Sequence, residues 1–573
     1  MTYNLQLETS CVMCLVSCVL YAIIYSMTPR HLSLIALLLL ASIALPGYSA
    51  TSEDWYPYTI SSNLSPTSPL NIGKLVLDAP AGKHGFVKVK DGHFYFEDGT
   101  RAKFWGTNLC FNACFPTHKQ AEMLAERIAY FGFNAVRLHH MDFYFEPKGI
   151  FEDTAPAYKD PQMKKTGILS KAQLDKLDYL IYQLKIRGIY VDMNLLVARH
   201  FTEADGIKDA GKLGMAAKPY SMFDRKLIIL QKQYAKDLLT HLNPYTKLKY
   251  CDDPVVGLVE IINETSLNKF NPSKAPKYYQ EQLGISGVFA PEILEKKYFD
   301  EMTHFLKIDV KVKCPITGSQ FANVSAQTSC DFIDKHAYWD HPKFPRKPWD
   351  NNDFIIKNNS ILTDENLGIV GRLLKSQPKD KPYTVTEWNH CYPNQYAYET
   401  PIVLATEAQK YNWDGLFQFA FSHGWKEEPA FDNINNYFNT IANPQKLILT
   451  SLGGLIFLKG ENTETNFKEG IFTVTSPSLN AVVGFIKDKP LALGPFTITA
   501  DQNGAVALLK NAEKYTLFAV SEVKNSGSGW NAEGKFNWGN APVLLKQINV
   551  TVQRNGKTVP IDLSKSPYLE IKL

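Results

Sequence analysis

Two glutamates in this chain stand where site chemistry is easily built. Glu264 closes the apolar run VVGLVEIINE (255–264), and Glu387 stands near the end of PYTVTEW (382–388). Both runs have the length and composition of buried strands, so each brings a carboxyl to a strand end. Two carboxyls crowded into one site repel each other, and burial adds to the effect, so one keeps its proton while the other ionises. At a separation of ~5–5.5 Å such a pair can protonate a leaving oxygen and attack the carbon it leaves. Glu260 lies on the first run at an even spacing from Glu264, one layer deeper on the same face. It is expected to be a buried, paired structural carboxylate. His139 and His140 are adjacent, so on a strand only one of them can enter the mouth of a site. With Asp142 and His336 they form only a thin set of metal donors. Contacts to substrate hydroxyls are the expected role, and no metal or other cofactor is expected.

The elements that must carry these residues follow from hydrophobic patterning. Eight short apolar runs read as strands: KFWGTN (103–108), NAVRLHH (134–140), IYVDMNL (189–195), VVGLVEIINE (255–264), PITGSQ (315–320), FIDKHAYW (332–339), PYTVTEW (382–388) and GLFQFAF (415–421). Amphipathic stretches such as HKQAEMLAERIAYFG, LDKLDYLIYQLKIRG and RKLIILQKQYAKDLLTHL lie between them, the first two stopping at glycine. The connection before the sixth run is short, and its helix is expected to be degenerate. Alternation of this kind predicts an α/β fold, a (β/α)8 TIM barrel, whose active site lies at the C-terminal ends of the strands. A short hairpin around DG turns precedes it. Beyond about residue 445 the period switches to two, which predicts a C-terminal β-sandwich that either braces the barrel or binds substrate. The expected boundaries are a targeting segment at 1–50, an irregular leader at 51–84, the barrel at 85–444 and the sandwich at 445–573. Segments 141–170, 200–222 and 340–380 are the expected rim loops.

Composition narrows the class. A hydrophobic fraction of 45% with 21% charged residues belongs to a globular chain. The net charge of +4 is spread along the sequence without a Lys/Arg block, which excludes a nucleic-acid partner. The run LSLIALLLLASIAL after Met27-Thr28-Pro29-Arg30-His31 has the order of a secretory signal, with Met27 a candidate true start. Export to the medium, periplasm or cell surface is the expectation, with membrane contact only through this segment if it is not removed. The six cysteines beyond it are scattered, giving neither a zinc site nor a dense disulfide framework, and leave room for one or two disulfides.

With both glutamates placed, the sequence resembles glycoside hydrolase clan A, the cellulase-like barrels related to glycoside hydrolase family 5. The likeness covers roughly residues 85–440. It implies that Asn263-Glu264 after strand four supplies the acid/base and Glu387 after strand seven the nucleophile. It implies that Arg137 bonds the nucleophile, that Asn263 touches the sugar 2-hydroxyl, and that His336 and Tyr338 form a His-x-Tyr pair with the phenol on the nucleophile. His139 and His140 then suit a subsite at the strand-two rim. The clan often has a sugar-platform Trp at the end of strand eight, whereas LFQFAFSHGW leaves that place to Phe421, His423 or Trp425. Trp388, beside the nucleophile, is a further platform candidate, and Trp339 and Trp349 are either platforms or packing. The implied function is retaining hydrolysis of a β-linked poly- or oligosaccharide. A transglycosylase and a non-catalytic carbohydrate-binding protein are the alternatives on the same barrel.

Overall fold

The computed structural model describes residues 55–572 apart from 146–148, 153–164, 285–288, 365–366, 425–430, 469–470, 480, 487–489, 494–495, 512–513, 562 and 564–565. The expected targeting segment and Trp425 therefore lie outside the described residues. No helix among the described residues is long and apolar enough to cross a membrane.

Eight parallel strands form the central sheet. They are β1 (Phe104–Cys110), β2 (Ala135–His139), β3 (Tyr190–Leu196), β4 (Val256–Ile262), β5 (Ile316–Thr317), β6 (Ile333–Trp339), β7 (Tyr383–His390) and β8 (Gly415–Ser422). Neighbours pair in chain order from β1 to β5, β8 pairs with β1, and β6 and β7 complete the sequence. The remaining seam is closed outside the ladder. Asp331 N–H donates to Ile316 O at 2.8 Å, and Thr317 Oγ1 donates to Phe332 O at 2.9 Å. This is the expected barrel. β5 is shorter than the run PITGSQ because Ser319 N–H turns to the Gln327 side chain (2.8 Å) and leaves the ladder.

Helices α1 (His118–Tyr130), α2 (Lys171–Ile186), α3 (Arg225–Leu239), α4 (Pro291–His304), α5 (Val370–Leu374), α6 (Glu399–Lys410) and α7 (Pro444–Lys459) surround the sheet. Thr117 starts α1 with a capping box to Gln120, and the Asp224 side chain caps α3. Between β5 and β6 there is a single 3-10 turn, Val324–Gln327, as the short connection implied.

Helical structure continues past residue 445, contrary to the sequence reading. Asn443 caps α7 and Pro444 opens it. Nearly every α7 side chain is buried, so the helix has no polar face and no 3.6-residue alternation for a sequence to display. A Cβ on Gly454 would come within 2.6 Å of the Trp105 ring, so the glycine pair at 453–454 marks a close approach of α7 to β1.

After α7 two antiparallel sheets stack, one of six strands and one of four. Val506, Leu508, Leu517 and Ala519 of the larger sheet share a core with Phe496, Ile498, Val550 and Val552 of the smaller. The alternate residues Ala505, Ala507, Phe518 and Val520 belong to the core that runs on into the barrel. The middle strands of the larger sheet, Gly504–Asn511 and Lys514–Val520, are thus buried on both faces along most of their length, which suits a brace. A third sheet carries Val523–Ser526 and Asn540–Lys546, and residues near it grip the barrel rim. Phe536 N–H donates to Asn352 O (2.8 Å), Trp538 Nε1 to Asn351 O (2.9 Å), and Asn525 Nδ2 to Ile434 O (2.7 Å).

Candidate active site

The polar core of the barrel is organised around Arg137. Its strand, β2, buries every residue, so the guanidinium must find partners inside. Nε and one terminal nitrogen fork onto Glu260 at 2.7 and 2.8 Å. The other terminal nitrogen donates to Glu387 Oε1 (2.8 Å) and Asn108 Oδ1 (3.0 Å), while the terminal nitrogen on Glu260 also donates to Asn263 Oδ1 at 2.9 Å. Although burial opposes it, the Glu260 and Glu387 charges hold the guanidinium well above its ordinary pKa. Glu260 is wholly buried and also accepts from Asn194 (2.8 Å) and Gln320 (3.0 Å), the paired structural carboxylate expected. Asp192 lies beside it. Burial and the neighbouring Glu260 push the Asp192 carboxyl well above the usual carboxylate range.

Glu387 receives donors on both oxygens: Arg137 on Oε1, and the Tyr338 phenol on Oε2 at 2.6 Å. The register of β7 slips against both neighbours around Thr386, a bulge that turns Thr386 and Glu387 inward together. Thr386 O–H reaches Asp334, and Glu387 faces the mouth. Burial raises the Glu387 carboxyl above the usual range and Glu264 adds to this, against the pull of His336, Arg137 and Tyr338.

Glu264 follows β4 with φ +44°, a conformation that only a supported side chain holds. Gln320 Oε1 accepts its backbone N–H at 2.9 Å, and the Gln320 amide also bonds Glu260, tying the bend to the polar core. Phe111, His140 and Asp340 have the same left-handed backbone just past β1, β2 and β6. The Glu264 carboxyl is one-third exposed, and an oxygen of it lies within 4.8 Å of an oxygen of Glu387. His336 Nδ1 is 2.8 Å from Glu264 Oε1 and 3.5 Å from Glu387 Oε2. Burial works against the imidazolium, but Glu387, Asp334 and Glu264 raise its pKa to about 10. For Glu264, burial pushes upward, but the His336 hydrogen bond and charge, with Lys218 and Arg137, hold the carboxyl below the usual range. These three side chains could also meet a metal ion. A proton already held on His336 suits hydrogen bonding better than ligation.

His139 and His140 both reach the mouth. The left-handed turn at His140 breaks strand alternation, and the two rings touch edge-on at 3.8 Å. Burial keeps both neutral. Asn194 Nδ2 faces His139 Nδ1 (3.3 Å), which places the His139 proton on Nε2, 3.5 Å from Glu387 Oε1. Asp142 does not join them, because its carboxylate accepts the backbone N–H groups of Val197, Ala198 and Arg199.

Trp388 is not a platform. Next to Glu387 on the strand, it faces the helix layer, 1% exposed, against Trp105 at 5.7 Å. Nor does Phe421 take the strand-eight place, because it is buried against Phe133. That place is held by Phe419, whose ring meets Tyr338 (6.0 Å), His139 (5.7 Å) and His423 (5.2 Å). A register jump in β8 between Gln418 and Ser422 upsets the period-two count that pointed further along the chain. Lys218, from the loop after β3, was also missed. Its charge acts on Glu264, Asp142 and Glu387, and its ammonium has no hydrogen-bond or ion-pair partner among the described residues. Polar residues at alternate positions of otherwise apolar strands, Asp192/Asn194 as well as Arg137/His139, were the available signal for the inner network. A lone lysine in a polar loop gives none.

All six cysteines among the described residues are buried free thiols, so none of the possible disulfides is formed. No protein-family model matches the chain, and no curated protein sequence does. Solved structures do. The endo-1,4-β-mannanase from Rhizomucor miehei is 15% identical, with 65% of this chain and 98% of that one covered and a TM-score of 0.46. The endo-β-1,4-mannanase from Thermotoga petrophila is 13% identical, covering 83% and 98%, with a TM-score of 0.47. A β-glucanase from Saccharophagus degradans is 13% identical, covering 68% and 97%, with a TM-score of 0.38.

Proposed function

We propose that this protein is a retaining β-glycoside hydrolase of the clan A, family 5-related type, acting on a β-linked poly- or oligosaccharide. The observation that carries the reading is the approach of the Glu264 and Glu387 oxygens to within 4.8 Å at the C-terminal rim of one barrel. That spacing suits a nucleophile and an acid/base on one sugar, and leaves no room for the intervening water of an inverting enzyme.

Glu387 is the nucleophile. Its two donors, Arg137 and Tyr338, hold the ionised carboxylate in place against burial and aim it at the anomeric carbon. Glu264 is the acid/base. Its proton comes through His336, which stays charged at neutral pH and donates to Oε1. As the glycosidic bond breaks, His336 passes its proton through Glu264 to the leaving oxygen, which leaves Glu264 ionised and His336 neutral, and Glu387 forms the glycosyl ester. In the second step Glu264 takes a proton from the attacking water and returns it to His336, while the water oxygen bonds the same carbon and frees Glu387. Arg137 and Asn194 occupy the Asn263 Oδ1, which leaves its amide N–H groups to meet the sugar 2-hydroxyl. Phe419 supplies the apolar wall, and Lys218 donates to a sugar oxygen.

Glu264→Ala tests the division of roles. On an aryl glycoside with a good leaving group the variant should accumulate the glycosyl-enzyme, and azide should restore turnover. A folded variant that azide leaves unchanged would remove the acid/base assignment.

A further inference from the structure

The loop at 340–358 begins directly after β6, whose Tyr338 holds Glu387. It is a built shelf. Lys343 and Ile355 exchange both backbone hydrogen bonds (3.0 and 2.8 Å). Asp340 accepts from Lys357 N (2.8 Å) and Asn358 N (2.7 Å), Arg346 forks onto Asp353, and Phe354 is fully buried. From outside, Phe536 and Trp538 bond the backbone at Asn352 and Asn351. On this shelf stands Trp349, 63% exposed and with φ +61°.

A large apolar ring mostly left in water, on a backbone conformation disfavoured for it, contributes little to the core. Its surroundings give it a direction. Phe344 backs the ring at 5.1 Å, His341 meets it edge-on at 5.9 Å, and His341 in turn meets Tyr338 edge-on at 5.1 Å. A line of aromatic rings therefore leads from the nucleophile's partner to Trp349.

We propose that Trp349 is the stacking platform of a distal subsite, binding a neighbouring pyranose of the same β-linked chain whose bond is cut at Glu264 and Glu387. The proposal rests on the glycosidase reading and deepens it. A pyranose with mostly equatorial hydroxyls presents an apolar C–H face, and such faces lie flat on exposed indoles, burying area on both sides. The substrate class is then a chain of glucan, mannan or xylan type rather than a single terminal sugar on a small aglycone. The rigid shelf fixes the platform before binding, so little ordering is needed when the chain arrives.

The test compares full-length wild type with Trp349→Ala and Trp349→Phe. Binding of cellohexaose, mannohexaose and xylohexaose is measured by calorimetry. The ratio of kcat/KM on the hexaose to that on the matching p-nitrophenyl monoglycoside is measured beside it. We expect wild type to bind at least one hexaose, Trp349→Ala to weaken that Kd and lower the ratio about tenfold, equivalent to about 1.4 kcal/mol, and Trp349→Phe to recover part of both. Melting temperatures should match, because Trp349 lies outside the core. An unchanged Kd, an unmoved ratio, or no binding to any of the three hexaoses would overturn the platform. Wild type that binds a hexaose yet hydrolyses nothing would end the glycosidase reading instead, and the alanine variant's Kd would still decide the platform.

Discussion

His336 donates to Glu264 Oε1 across 2.8 Å, an imidazolium set against the carboxyl that must supply a proton. The opposing pulls of this pair decide the alkaline behaviour of the protein. His336 keeps its proton up to about 10 in the fold, against 6.5 for an unperturbed ring. The alkaline limb of kcat/KM is therefore expected well above pH 8. In His336→Asn the limb should move down, because Glu264 must then hold the proton itself. A pH–rate profile with a wild-type limb near 6.5 would contradict this.

The same groups set a stability window. A raised His336 pKa stabilises the fold fully below pH 6.5, and this is lost as the pH climbs through about 10. The lowered Glu264 acts at the other end: its contribution is present above 4.5 and fades as acid protonates the folded carboxyl. Urea midpoints of wild type and His336→Asn should therefore differ most near pH 6 and converge toward pH 10.

Tyr338→Phe removes one donor from Glu387 and leaves the ring packing in place. A hydrogen bond to a charged group is worth about 1.5–3 kcal/mol, so kcat/KM should fall roughly 10- to 100-fold. Without the phenol the Glu387 carboxyl rises further, and the acidic limb of the profile should move to higher pH. A limb that stays in place would mean that the phenol does not stabilise the carboxylate.

Arg137→Met strands Glu260 and Glu387 in the core without their shared cation. Breaking a buried pair from one side costs about 3–5 kcal/mol, and denaturant unfolding should show a loss of that size together with loss of turnover. A change under about 1 kcal/mol would mean that the network is not held by Arg137.

Gly454→Val probes the seam between α7 and β1. The added Cβ meets the Trp105 indole at 2.6 Å, so overpacking should destabilise the fold by about 1–3 kcal/mol. Thermal unfolding reads it directly, and an unchanged melting temperature would show that the seam yields.

Much of this was legible in the chain itself. Each strand is a short apolar run between amphipathic stretches, so the barrel and its rim could be read from periodicity. Glu264 and Glu387 stood out as acids at strand ends. What escaped depends on departures from regular geometry. Bulges at Thr386 and within β8 re-aim side chains, and the second of these brings Phe419, which was not among the candidates Phe421, His423 and Trp425, to the aromatic wall. The turn at His140 brought together two rings that alternation would separate. Helix α7 hid because a helix buried on all sides has no pattern, and Lys218 because its loop has no period at all.

The most direct test labels the protein with a 2-deoxy-2-fluoro-β-glycoside bearing a good leaving group, followed by proteolysis and peptide mass analysis. A stable glycosyl ester on the peptide containing Glu387 is the predicted result. Label on Glu264, or catalysed hydrolysis that inverts the anomeric centre without any label, would contradict the account.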